Sequence, residues 1–158
     1  MKKQKKKRKR YSVKNYNSKI SLAIKIIGSK SISHRALIIA ALSKGKSILK
    51  NISNCTDVKL TKKALRDLGI KIEEKENTTY IWGGLDQFHN FPKYLDFKDS
   101  GTSYRFFMGV LSLFNEEIEI KGSSRMEARP IKELVDILVQ GGVEVNYIKN
   151  PNYPPIKI

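Results

Sequence analysis

A chain of 158 residues with 40% hydrophobic and 29% charged side chains is too apolar to be a disordered polyelectrolyte, and it has room for one ordinary domain, which commonly runs to about 100–150 residues. No uninterrupted apolar run nears the roughly 20 residues of a membrane helix, because even Ala36 to Leu42 stops at Ser43 and Lys44. Half of the net charge of +16 comes from the Lys and Arg residues between Lys2 and Arg10, a like-charge run that repels itself and is expected to form a disordered tail over residues 1–17. Residues 18–158 are then the folded part. The basic N-terminus lacks the apolar stretch of a secretory leader, and Cys55, the single cysteine, has no internal disulfide partner. A cytoplasmic protein with no membrane partner is expected.

In chain order, a strand is expected at Leu22–Ile27, then a helix at Ser33–Leu42, a strand at Ser47–Ile52 and a helix at Asp57–Leu68. Two strands, around Ile70–Glu74 and Thr79–Trp82, close the first pass. The same order then returns: a strand at Tyr94–Phe97, a helix at Thr102–Phe114, a strand at Glu117–Lys121, a helix at Pro130–Gln140, and strands at Val143–Ile148 and Pro155–Ile158. Gly69-Ile70 corresponds to Gly142-Val143, an offset of 73 residues. The fold class is therefore α/β, with two repeated β-α-β-α-β-β units over about 21–84 and 94–158.

The helices carry distinct patterns. Ile131, Leu134, Val135 and Leu138 repeat at the spacing of one buried stripe, with Pro130 at the start and Gly141-Gly142 at the stop. Val58, Thr61, Leu65 and Leu68 form a second stripe, with Thr56 or Asp57 as the expected N-cap. Ala36 to Leu42 is apolar all round, which predicts a helix covered on every side.

Three segments carry anion chemistry. Gly28-Ser29-Lys30-Ser31-Ile32-Ser33-His34-Arg35 is a glycine turn entering a helix, where unpaired backbone N–H groups and the helix dipole favour an anion. Ser31 and Arg35 are four apart and share a face, and Lys30 adds a point charge. Asp99-Ser100-Gly101-Thr102-Ser103-Tyr104-Arg105 holds the corresponding place in the second unit. Ser123 to Pro130 is read as a loop with two arginines, Arg125 and Arg129, for which surface pairing with Glu127 or Glu133 is the plain alternative.

In this order, inside duplicated units, the three segments resemble the N-terminal signatures of the 5-enolpyruvylshikimate-3-phosphate synthase family, and the stretch Asn152-Tyr153-Pro154-Pro155 is similar to a segment that follows them. The resemblance implies the family's inside-out α/β barrel, here incomplete, and transfer of the enolpyruvyl group of phosphoenolpyruvate to the 5-hydroxyl of shikimate 3-phosphate in the chorismate pathway, without a cofactor or metal. It implies that Lys30 touches both substrates and is catalytic. Ser31 and Arg35 would hold shikimate 3-phosphate, and Asp99, Gly101 and Arg125 would line the phosphoenolpyruvate pocket, with Thr102, Arg105 and Arg129 in support. The chain departs from the family pattern at Ile27, where proline is usual, and at His34 and Asp99, where asparagine is common. An Asp among anionic ligands calls for a facing arginine. His34 reads as a helix-surface residue, and His89, Cys55 and Trp82 as structural.

Family members have two domains of three such units each, so the missing remainder of the enzyme is an implied partner and the isolated chain is expected to be inactive. UDP-N-acetylglucosamine enolpyruvyl transferase is the near rival, but its first signature has Lys-Asn where this chain has Lys30-Ser31. The rival of another class is a non-catalytic nucleic-acid-binding module acting nonspecifically through the basic tail. Such a module calls for a basic stripe with aromatics along an exposed face, rather than single arginines at helix starts.

Overall fold

A computed structural model describes Tyr11, Ser12, Ser21, Ala23, Ile24 and residues 26–158. Apart from Tyr11 and Ser12, the expected tail lies outside the described residues, as do Leu22 and Lys25 of the expected first strand; Ala23, Ile24, Ile26 and Ile27 form no strand. Chain order then runs α1 (Lys30–Leu42), β1 (Gly45–Lys50), α2 (Thr56–Asp67), β2 (Lys71–Lys75), β3 (Thr78–Gly83), β4 (Tyr94–Asp96), α3 (Gly101–Leu111), β5 (Glu119–Lys121), α4 (Ser124–Glu127), α5 (Lys132–Gln140), β6 (Asn146–Tyr147) and β7 (Ile156–Lys157). A 3-10 turn at Leu85–Gln87 joins the two halves.

The first sheet has order β1-β3-β2 and is antiparallel throughout. The second has order β4-β5-β7-β6; β4 and β5 are parallel and the other pairs antiparallel. Helix α2 packs against both α1 and α3, so three helices lie against the sheets in one apolar core that includes Leu37, Leu65, Ile81, Phe107 and Ile120. Both expected stripes face inward: Val58, Thr61, Leu65 and Leu68 are buried on α2, and Ile131 and Val135 are buried on α5 with Leu134 and Leu138 packed beside them.

Several local expectations change. The N-cap of α2 is Cys55, which makes no side-chain cap bond, and this leaves the Asp57 carboxylate available elsewhere. Pro130 precedes α5 instead of opening it, and the arginine-bearing loop contains the helical turn α4, capped by the Ser123 hydroxyl accepting from the Met126 N–H. Helix α1 is not covered all round: Leu37, Ala40 and Ala41 are buried, but Ile32 and Ile39 are 61% and 63% exposed. No described element stands over that side. Trp82 is only half-buried, on the outer face of the first sheet.

His34 is fully buried, contrary to the surface reading. Its Nδ1 lies 2.7 Å from Thr61 Oγ1, which lies 2.9 Å from Ser103 Oγ, which in turn lies 2.7 Å from Ser100 Oγ. The Ser103 hydroxyl also donates to the Asp57 carbonyl at 3.3 Å. This buried polar seam stitches together the N-terminal halves of α1, α2 and α3. Among the described residues His34 Nε2 has no partner. Burial is the main influence holding the imidazole below its ordinary value of 6.5; Asp57 pulls the other way, and Lys30 adds to the lowering. The unfolded chain therefore takes up this proton first, so the His34 contribution to stability is complete above about pH 6.5 and drains as pH falls towards the lower folded value. Thermal unfolding at falling pH should show a declining midpoint, and His34→Gln should flatten that decline. An unchanged slope in the variant would sink the assignment.

Candidate functional site: an anion-binding cleft at three helix starts

Each wall of the site begins at a helix N-terminus. Gly28 brings the chain so close to the first sheet that a Cβ there would stand 1.8 Å from the Asn51 carbonyl oxygen. That approach delivers Ser29 as the α1 N-cap, its hydroxyl accepting from the Ile32 N–H at 3.4 Å. Lys30 is the first residue of α1. Its ammonium donates to Asp57 Oδ2 at 2.8 Å, and Asp57 sits in the first turn of α2. Ser100 caps α3, so Gly101 and Thr102 present the third helix start. The starts of α1, α2 and α3 thus border one place, and helix N-termini favour negative charge beside them.

The place is an open cleft of about 560 Å³. Lys30, Asp99, Gly101, Thr102, Arg105, Arg125 and Arg129 all line it, with Asp57 and Phe106. Seven of the nine expected site residues are therefore brought together across 99 positions of sequence, from 30 to 129. Ser31 and Arg35 are not among them. They do meet, with Arg35 Nε donating to the Ser31 backbone carbonyl at 3.3 Å. Arg35 borders a separate apolar hollow with Ile38, Ile39 and Leu42.

The cleft carries excess positive charge that can be assigned group by group. Lys30 is matched by Asp57, whose hydrogen bond and then its charge raise the ammonium above its ordinary 10.5, so it stays charged through neutral pH. Among the described residues Asp99 faces no arginine at ion-pair distance; Ser123 Oγ donates to it instead. Glu127, an expected partner of Arg125 or Arg129, pairs with Lys149 at 2.9 Å. Among the described residues no acidic group lies within ion-pair distance of Arg105, Arg125 or Arg129. Among the described residues Arg105 is held by backbone, donating to the Gly101 carbonyl at 3.2 Å and the Pro130 carbonyl at 2.9 Å. Its remaining N–H groups are available to a ligand. Among the described residues no group of three or more His, Cys, Asp or Glu side chains stands together to hold a metal ion.

Asp57, Phe106 and Ser123 were missed in the sequence. Asp57 looked like a cap; its signal was that it is the lone acid in the first turn of a helix whose partner helix opens on a lysine. Gly101 is a tight point: a Cβ would meet Arg129 Nη1 at 2.9 Å and Arg105 Nη1 at 3.0 Å. Both atoms end flexible side chains, so Gly101→Ala should leave the thermal midpoint within the small change of an ordinary substitution, roughly 1 kcal/mol or less. It should nevertheless weaken phosphate binding several-fold by displacing both guanidiniums. Calorimetric titration with inorganic phosphate checks this, and unaltered affinity would remove Gly101 from the site.

An α/β fold with three helix starts and three unmatched guanidiniums around one cleft has the charge and geometry that suit small, multiply charged anions. The sequence narrows the class. The chain belongs to the EPSP synthase (3-phosphoshikimate 1-carboxyvinyltransferase) family, whose profile matches residues 14–158. It is 43% identical over 138 residues to the 3-phosphoshikimate 1-carboxyvinyltransferase of Buchnera aphidicola subsp. Cinara cedri, covering 85% of this chain and 32% of the relative. The enzyme of the same name from Proteus mirabilis is 39% identical over 138 residues, again 85% of this chain and 32% of the relative. Among solved structures, EPSP synthase from Acinetobacter baumannii superposes with a TM-score of 0.80 at 26% identity, over 85% of this chain and 31% of that one. The chain thus spans about a third of the length of the relatives it matches.

Proposed function

We infer that the chain supplies part of the active site for transfer of the enolpyruvyl group from phosphoenolpyruvate to the 5-hydroxyl of shikimate 3-phosphate, the rest coming from the portion of the enzyme that its relatives have and this chain does not span. On this reading residues 18–158 are a partial domain of two units, about 21–84 and 94–158, with the basic tail outside it. The single observation that carries the inference is the convergence of Arg105, Arg125 and Arg129, unmatched by acids, with Lys30 at one cleft. Two phosphates and two carboxylates have to lie side by side in this reaction, and preorganised cations offset their repulsion without reorganising during the chemistry. Phosphoenolpyruvate would sit against Asp99, Gly101 and Arg125, with Thr102, Arg105 and Arg129 behind it. Lys30 would stand between the substrates, and Ser31 and Arg35 would meet shikimate 3-phosphate once the opposing wall draws them to it.

An open half-site keeps charge-assisted hydrogen bonds but lacks the low-dielectric enclosure that strengthens them, so millimolar affinity, roughly −4 kcal/mol, is expected. Amide chemical-shift titration with phosphoenolpyruvate should move Gly101, Thr102 and Arg125. Shifts confined to other parts of the chain would refute the reading.

A further inference from the structure

The first sheet turns one face to the core and the other to solvent, and the outer face has an organisation that the cleft does not use. Register across the sheet sets Lys46 and Lys71 on either side of Trp82, Ile48 and Glu73 on either side of Tyr80, and Lys50 and Lys75 on either side of Thr78. Two aromatic rings on the central strand are therefore flanked by four exposed lysines on the outer strands. The ammonium of Lys46 lies 4.7 Å from the Tyr80 ring centre and 5.0 Å from that of Trp82, and the ammonium of Lys71 lies 4.6 Å from the Trp82 ring. Glu73 is the one acid of this row set, and Lys71 matches it at 3.1 Å. None of these residues lines the cleft.

We propose that this outer face, built on Tyr80 and Trp82 with Lys46, Lys50, Lys71 and Lys75, is a binding surface for single-stranded nucleic acid. From strand spacing and rise, the four lysines mark the corners of a rectangle of roughly 10 by 13 Å. One small anion cannot span that rectangle, whereas a chain of phosphates can. The two rings project from alternate positions of one strand, so successive unstacked bases can lie on them, as on other aromatic platforms. Stacking displaces Lys46 and Lys71 from the ring faces and frees their ammonium groups for the phosphates, which couples the two kinds of contact. A duplex offers no unstacked base to the rings. A lipid surface would call for more apolar area than Ile48 supplies.

Trp82 is the only tryptophan of the chain, so its fluorescence reports on this face alone. Titrating the full chain with a short oligothymidylate should quench Trp82 saturably, with log K falling against log salt at a slope of about −3 for four lysine contacts. Tyr80→Ala, which keeps the reporter, should weaken binding on the order of ten-fold; paired Lys46→Ala and Lys71→Ala should weaken it further and flatten the salt slope. Removing residues 1–10 should lower affinity but leave the full quench. Arg125→Ala should leave both unchanged. Circular dichroism confirms that each variant is folded, and if Tyr80→Ala fails that check the lysine pair carries the test. Binding by labelled-oligonucleotide anisotropy without any quench would assign the contact to the tail and overturn the proposal. So would an equal quench by inorganic polyphosphate or polyglutamate, which have charge but no bases, or by phosphatidylglycerol vesicles.

Discussion

Arg125→Ala combined with Arg129→Ala should abolish measurable binding of both inorganic phosphate and phosphoenolpyruvate. Neither guanidinium is held by an acidic side chain among the described residues, so neither has a competing partner to lose and both can bond an entering anion in full. Hydrogen bonds to charged groups contribute about 1.5–3 kcal/mol each, and two such losses from a millimolar site put binding out of reach of any titration. Stability should hardly change, because Arg125 is exposed, Arg129 half-buried, and the adjoining helical turn is capped by Ser123. The double variant thus separates ligand loss from unfolding: an intact thermal midpoint with phosphate affinity retained would show that the anion is held elsewhere.

The second large effect concerns turnover. Purified alone, the chain should release no phosphate from phosphoenolpyruvate and shikimate 3-phosphate above background. Lys30 is kept protonated by Asp57, so it can bind and polarise but cannot accept a proton near neutrality, and His34 is sealed in the core. Loss of one proton-transferring group on the opposing wall would alone remove about 10²–10⁴-fold. An open cleft also forfeits the positioning of two substrates against each other. Turnover near the usual enzyme range, about 10 s⁻¹, would overturn both the inactivity and the inference that the opposing wall lies outside this chain. Restoration of activity by the complementary part of a relative would support it.

What could be read in advance follows the range of the interactions concerned. Helix stripes are local, and those on α2 and α5 face inward as their spacing requires. The three anion segments were legible because each joins a small-residue turn to a helix start, and all three reach the cleft. Strand ends were less legible: the apolar alternation of Val143–Ile148 extends beyond the two residues, Asn146–Tyr147, that find a ladder partner in β7. For α1, composition states what a helix would prefer to bury but does not supply the neighbour, and Ile32 and Ile39 stay exposed. His34 was misread for a related reason, since its partner Thr61 lies 27 positions away. Ser103, the next link, is 42 further on, and no local pattern connects them. Asp57 likewise declared itself only once α1 and α2 were side by side.

The seam from His34 through Thr61 and Ser103 to Ser100 has a consequence for how the cleft responds to occupancy. Its hydroxyls can each reorient, but none can do so without its neighbour adjusting in turn, so the helix starts share their fluctuations instead of fluctuating separately. Phosphate bound at the α3 end of the cleft should therefore slow amide hydrogen exchange at the Lys30 end as well, with no hinge or displaced loop between them, and exchange left unchanged there would show that the two ends fluctuate independently.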